Sequence, residues 1–251
     1  MKRKYIFLPI LIIVLLCIIP AKKAYQLYSI STELPIYPCQ QHHDDTLRII
    51  IVGDSWAFMH QPYDDSLANL IHEQTGKPTR VTSYGICGVT SKGFYQHVHT
   101  DDSLRLFLQN GADYCFISLG INDTYHKTGA HNYACHTIYL LRFLLQNNIK
   151  PILMEIPDYD IIYTYDHQTV ARKILRKFSM AVTNSQKDCR KDYRDMLAKE
   201  LSTSNIISHV TLFPVIKYDS TLFASDRMHL NEKGYARLDS TLAYHFRLNN
   251  L

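Results

Sequence analysis

Ser55, Asp226 and His229 are the residues of this 251-residue chain whose types and spacing could attack a carbonyl carbon. Ser55 lies in "IIIVGDSWAF", where four apolar residues run straight into Gly53-Asp54-Ser55. A serine hydroxyl is a poor nucleophile unless a base stands within hydrogen-bond reach. "SDRMHLNEKGY", near the C-terminus, supplies one, with Asp226 three residues before His229. At that spacing a carboxylate can accept from one imidazole nitrogen and fix the tautomer, leaving the other nitrogen to take the serine proton. Acyl transfer also needs donors aimed at the developing oxyanion. The Ser55 N–H, the Gly88 N–H in "GICGVTSKGF" and the Asn122 side chain in "SLGIND" are the candidates. Singly, each residue has an ordinary reading: a cap or turn for Asp226, a surface position for His229, a tight turn for Gly88 and an Asx turn for Asn122.

The elements that must position these groups follow from hydrophobic period. Short apolar runs at Leu47 to Val52, Arg80 to Tyr84, Asp113 to Leu119 and Pro151 to Ile156 predict buried strands. Helical spacing covers Ser66 to Gln74, Phe94 to Leu108, His131 to Gln146 and a closing helix, Asn231 to Phe246. Strand alternating with helix implies right-handed crossovers onto a parallel sheet, hence a three-layer α/β domain. Ligands of such sheets collect at the carboxyl ends of the strands, where Ser55, Gly88 and Asn122 are expected.

Gly53-Asp54-Ser55, Gly88, Gly120-Ile121-Asn122-Asp123 and Asp226-Arg227-Met228-His229 resemble, in order, the four signature blocks of the SGNH (GDSL) hydrolase family. The resemblance covers about Leu47 to Phe246. It implies a flavodoxin-like α/β/α sandwich with a five-stranded parallel sheet, and a serine esterase that needs no cofactor and no metal. It also implies Ser55 as nucleophile, His229 as base, Asp226 as the orienting carboxylate, and Ser55, Gly88 and Asn122 as the oxyanion hole. Gly85 competes for the second block, but Gly88 fits the family's Gly-x-Thr pattern through Thr90. Trp56 departs from the small or aliphatic residue often found after the serine. It reads either as packing over the first helix or as a wall for the acyl or sugar group.

Other groups carry weaker signals. His97 and His99, followed by Asp101 and Asp102, have ligand-type side chains but no second pair at zinc spacing, and read as a polar helix start. "PDYDIIYTYDH" leaves the fourth strand with Tyr159, Tyr163, Tyr165 and His167, and reads as a connecting loop, with a glycan platform as the alternative. The charged region Thr169 to Lys199 carries Arg172, Lys173, Arg176, Lys177, Lys187, Arg190, Lys191 and Arg194, and reads as a solvated helix face, with an acidic-ligand surface as the alternative.

Composition bounds the rest. Five of the 27 cations flank the N-terminal run, and the remaining 22 nearly balance 23 acidic residues, which argues against a nucleic-acid footprint. Lys2, Arg3 and Lys4 precede, and Lys22 and Lys23 follow, the uncharged run Tyr5 to Ala21. Its 17 residues suffice for one N-terminal transmembrane helix. A signal-peptidase site is poor here, so residues 1–21 read as an uncleaved membrane anchor, with cleavage and secretion as the alternative. Residues 22–46 then read as a linker and 47–251 as the catalytic domain, exported to the periplasmic side. Five cysteines lie outside the run without a Cys-x-x-Cys motif, and a disulfide using Cys39 is an option whose partner the sequence does not give.

The function expected is hydrolysis of small acyl esters, acetyl above all, on a carbohydrate or related envelope substrate. O-acetyl transfer to an envelope glycan would use the same groups with a sugar hydroxyl in place of water. A lipid or lysophospholipid esterase is the nearer alternative. A glycan-binding module without activity would need neither base nor oxyanion donors, and fits least.

Overall fold

The computed structural model describes residues 29–248, together with Ile18, Lys22 and Tyr25. The expected membrane span, Tyr5 to Ala21, lies outside the described residues apart from Ile18. Among the described residues no helix is long and apolar enough to cross a membrane.

Strands β1 (Leu47–Gly53), β2 (Thr79–Gly85), β3 (Tyr114–Ser118), β4 (Lys150–Met154) and β5 (Thr211–Phe213) form one parallel sheet in the order β2-β1-β3-β4-β5. The helices are α1 (Ser55–His60), α2 (Asp64–Thr75), α3 (Ser91–Thr100), α4 (Asp102–Gln109), α5 (Ile121–His126), α6 (Ala130–Gln146), α7 (Ile161–Asp166), α8 (Val170–Thr183), α9 (Arg190–Thr203) and α10 (Glu232–Leu248). The period of two along β1 sends its side chains into two separate cores. Ile50 and Val52 meet Phe94, Leu140, Leu144 and Leu197 from α3, α6 and α9 on one face. Ile49 and Ile51 meet Leu67, Ile71, Leu242 and Phe246 from α2 and α10 on the other. This is the expected three-layer sandwich. Because β2 and β3 flank β1, the crossover direction reverses at β1, and the carboxyl ends of β1 and β3 mark the switch point at which sheets of this kind bind ligands.

Three local differences from the sequence reading have plain causes. The single helix expected over Phe94 to Leu108 is two, because the Asp101 carboxylate accepts from the Ser103 and Leu104 N–H groups and restarts the helix as α4. The charged region after β4 is likewise split, with α8 ending at Asn184, whose φ of 49° is left-handed. "PDYDIIYTYDH" is not a plain loop, since α7 lies within it, capped by the Asp160 side chain on the Tyr163 N–H.

Residues 29–46 contain no helix or strand, yet much of the stretch is tied to the domain. The Leu34 N–H donates to Tyr95 Oη at 2.7 Å, Tyr37 Oη donates to the Val98 carbonyl at 3.0 Å, and the Cys39 N–H donates to Asn147 Oδ1 at 2.8 Å. Cys39 is buried in the α3/α6 core, and like Cys87, Cys115, Cys135 and Cys189 it is a free thiol among the described residues.

Gly53 closes β1 at a point where a side chain has no room. Its φ is +152°, and a Cβ built there would lie 1.9 Å from the Ser118 carbonyl oxygen. Gly53→Ala is therefore expected to destabilise the fold by about 2–4 kcal/mol. Urea denaturation reads this directly, and an unshifted midpoint would mean that β1 and β3 do not approach so closely.

Candidate active site

The register of the sheet sets three loops at one level. Gly53 pairs with Gly85 on one side and Ser118 on the other, so the chain leaves β1, β2 and β3 together. Ser55, Gly88 and Asn122 follow those exits within four residues each. Ser55 is the first residue of α1, with Asp54 as its N-cap. Close approach makes this turn possible, since a Cβ on Gly85 would lie 2.1 Å from the Phe58 nitrogen.

His229 reaches the serine from the far end of the sequence. Ser55 Oγ is 2.9 Å from His229 Nε2, and His229 Nδ1 is 2.6 Å from Asp226 Oδ2. An ionised carboxylate can only accept, so Nδ1 carries the proton and Nε2 is left to accept from the Ser55 hydroxyl. Asp226 also fixes the loop, its Oδ1 accepting from the Met228 and His229 N–H groups at 2.9 and 3.0 Å. Burial acts to raise the Asp226 carboxyl, but the hydrogen bonds from His229 and Met228 outweigh it and hold the group below its usual range. It therefore stays anionic at neutral pH, as an orienting partner for imidazole must.

The three expected oxyanion donors each have a defined local setting. The Ser55 N–H belongs to the first turn of a helix, where no carbonyl of that helix can accept it. Gly88 has φ +76° in the turn closed by the Val89 N–H on the Ile86 carbonyl, and open space lies where its Cβ would be. Asn122 Nδ2 donates to Asp54 Oδ2 at 3.2 Å, which fixes the amide plane and leaves the second hydrogen of that nitrogen. Burial pushes the Asp54 carboxyl up to about 7, against the lowering by the Trp56 N–H. Asp123, also raised by burial, accepts from the Ser91 N–H and hydroxyl and so ties the start of α3 to α5.

A model of the GDSL-like lipase/acylhydrolase family matches residues 51–237, well over half of the chain. The chain belongs to that family. This GDSL-family protein is thus a hydrolase acting on ester bonds. Solved structures share its fold at low identity. A psychrotrophic esterase from Pseudoalteromonas sp., inhibited by monoethylphosphonate, is 18% identical over 82% of this chain and 100% of that one, with a TM-score of 0.53. A protein of the G-D-S-L family from Desulfitobacterium hafniense is 14% identical over 78% and 98%, with a TM-score of 0.50. A catalytic mutant of an acetylxylan esterase from Geobacillus stearothermophilus is 15% identical over 79% and 93%, also at 0.50. No curated protein sequence matches.

Several residues of the GDSL site carry parts that the sequence reading assigned differently or passed over. Trp56 is not a wall of an acyl pocket, because it is 2% exposed. Its indole N–H donates to the Met228 carbonyl at 3.1 Å, and Tyr235 Oη donates to the Trp56 carbonyl at 3.2 Å. The tryptophan thus joins the serine helix to the histidine loop. Arg227 holds the other side of that loop, with a left-handed φ of 58°. Its guanidinium lies over the Tyr163 ring and donates to Asp160 Oδ2 at 3.0 Å. Tyr163 also stacks on His167 at 3.8 Å between ring centroids, and Tyr159 and Tyr165 are buried. Through Arg227, Tyr163 and Asp160 brace the Asp226–His229 loop.

Two further clusters lie outside this chemistry. His97 comes no nearer to Asp101 than 3.9 Å, and His99 packs against Tyr37, Tyr95 and Phe143. Among the described residues no group of three or more His, Cys, Asp or Glu is arranged to hold a metal ion. His60, at the end of α1, is buried with Nδ1 2.9 Å from Asp64 and Nε2 2.9 Å from Asp239.

Proposed function

We propose that the protein is a serine esterase that removes small acyl groups, acetyl above all, from carbohydrate or related envelope substrates. The observation that carries the mechanism is the unbroken hydrogen-bonded chain from Ser55 through His229 to Asp226. Ser55 Oγ bonds to the ester carbonyl carbon while its proton passes to His229 Nε2. The oxyanion rests on the Ser55 and Gly88 N–H groups and the Asn122 amide. Collapse breaks the bond to the alcohol, which leaves with the His229 proton, and the acyl group stays on Ser55. Water, deprotonated by His229, then releases the carboxylic acid and restores the serine.

Removing one donor tests the oxyanion assignment. Asn122→Ala is expected to lower kcat by about 10²–10³-fold with KM little changed. An unaltered kcat would exclude the amide from that role.

The substrate class is supported by the acetylxylan esterase that shares the fold. The anchor reading of residues 1–21, with the domain on the periplasmic side, favours an envelope glycan over a soluble metabolite. The test compares acetate release from acetylated xylan and other acetylated glycans with cleavage of octanoyl esters and lysophospholipid. Preference for the long acyl chains would overturn the acetyl assignment. Acetate appearing on an added sugar rather than in solution would favour transfer over hydrolysis.

A further inference from the structure

Helix α8 is packed with the wrong face inward for a helix on a water-soluble domain. Such helices bury an apolar stripe and expose charge. In α8 the buried residues are Arg176 and Ser179, while Val170, Ile174 and Leu175 are 73%, 61% and 58% exposed. None of the three guanidinium nitrogens of Arg176 has a hydrogen bond among the described residues, although they are buried. The group lies between the rings of Tyr125 and Tyr165, 4.5 and 4.7 Å from their centroids. An unpaired buried cation and a row of exposed β-branched and aliphatic side chains are both unfavourable in water. Rotating the helix would relieve both at once, so the arrangement calls for something that covers the outer face.

We infer that this outer face is an interfacial surface that lies on an anionic phospholipid membrane. Two observations name that occupant. Arg172 and Lys177 are exposed beside the apolar row and Lys173 is half-buried, the mixture of cation and hydrocarbon that anionic headgroups over acyl chains attract. The described chain also begins at this end of the molecule. The Ser29 carbonyl accepts from Asn132 Nδ2 at 3.1 Å and from Lys92 Nζ at 2.8 Å. Asn132 lies in the first turn of α6, and a Cβ on Gly129, just before it, would touch Thr183 at the end of α8, 3.7 Å away. Ser29 and α8 thus flank the same helix start. The seven residues between Ala21 and Ser29 can span at most about 25 Å. An anchored Tyr5–Ala21 run would keep α8 within reach of the bilayer. The inference takes that reach from the anchor reading, but the exposed face itself stands apart from it.

The experiment places the full chain in vesicles of phosphatidylglycerol and phosphatidylethanolamine that carry a diazirine on one acyl chain, then maps the cross-linked peptides. Expected is label on residues 170–182, reduced about tenfold in the Ile174→Glu/Leu175→Glu double variant. Turnover of p-nitrophenyl acetate, unchanged in that variant, reports that the domain is folded. If turnover falls, Ile174→Ser/Leu175→Ser replaces it. Label confined to residues 5–21 would overturn the inference and leave the anchor standing, whereas label on neither segment would overturn both. A dimer in detergent that the double variant splits would assign the face to a second copy of the chain and likewise overturn the membrane assignment.

Discussion

Ser55→Ala is expected to lower kcat for a small ester by about 10⁴–10⁶-fold while leaving the fold intact. The stability half of this expectation follows from contacts, since the side-chain hydrogen bond of the hydroxyl is to His229 Nε2 and the change removes one oxygen. The activity half follows from the chemistry. Without Oγ no acyl-enzyme forms, and only the oxyanion donors and substrate positioning remain to speed attack by water, an effect of about 10³–10⁴ over solution. His229→Ala should fall to a similar rate, and the double variant should fall little further, because nucleophile and base act as one unit. Steady-state rates on p-nitrophenyl acetate decide the matter. Turnover by Ser55→Ala within tenfold of wild type would remove the serine from the mechanism.

A comparable effect on stability is expected at His60, where no chemistry takes place. His60 bridges α1 to α2 and α10 through Asp64 and Asp239, and Ser83 Oγ of β2 is 3.1 Å from its Nδ1. Burial alone would lower the imidazole, but the hydrogen bonds it donates to Asp239 and Asp64 prevail and push it up to about 9. His60→Ala would leave Asp239, whose side chain is 3% exposed, without a countercharge. The expected loss is about 3–5 kcal/mol at pH 6. Its pH dependence has a definite sign. The folded value lies above the unfolded value of about 6.5, so the stabilisation is complete below that pH and disappears as pH rises through 9. The gap in urea stability between wild type and variant should narrow by about 3 kcal/mol between pH 6 and pH 10. A gap that does not change with pH would show a neutral imidazole in the folded protein.

The residues that can be read from sequence here are those whose role is stated by their neighbours in the chain. Ile49 to Val52 announce a buried strand, and Asp226 with His229 shows its pairing by spacing alone. Asp101 was legible too, as a capping aspartate inside an apolar run, but the continuous period of Phe94 to Leu108 masks the break. β5 spans three residues with only Phe213 buried, too short for any period to register. Trp56, Arg227 and Arg176 were not legible for a different reason. Their partners Met228, Tyr163 and Tyr125 lie 172, 64 and 51 positions away in the chain. Local pattern gives the charge run of α8 a solvated face, and only the packing shows that Arg176 is buried and the apolar row is outside.

The segment laid over α3 and α6 from Leu34 to Gln40 governs how the domain bears tension. A force applied at the N-terminus meets the bonds of Ser29 to Lys92 and Asn132 and of Ser31 to His136, and then those of Leu34, Tyr37, Cys39 and Gln40 to Tyr95, Val98, Asn147 and Gln109. These bonds load in succession along the segment, like a zipper, before any pull reaches β1. Single-molecule stretching from the N-terminus should therefore show an early rupture that frees residues 29–46, about 60 Å of chain, with the domain still folded. One simultaneous rupture would mean that the segment and the sheet yield together. With the early rupture, Ser55 is insulated from traction on the chain by a sacrificial fastening outside the sheet.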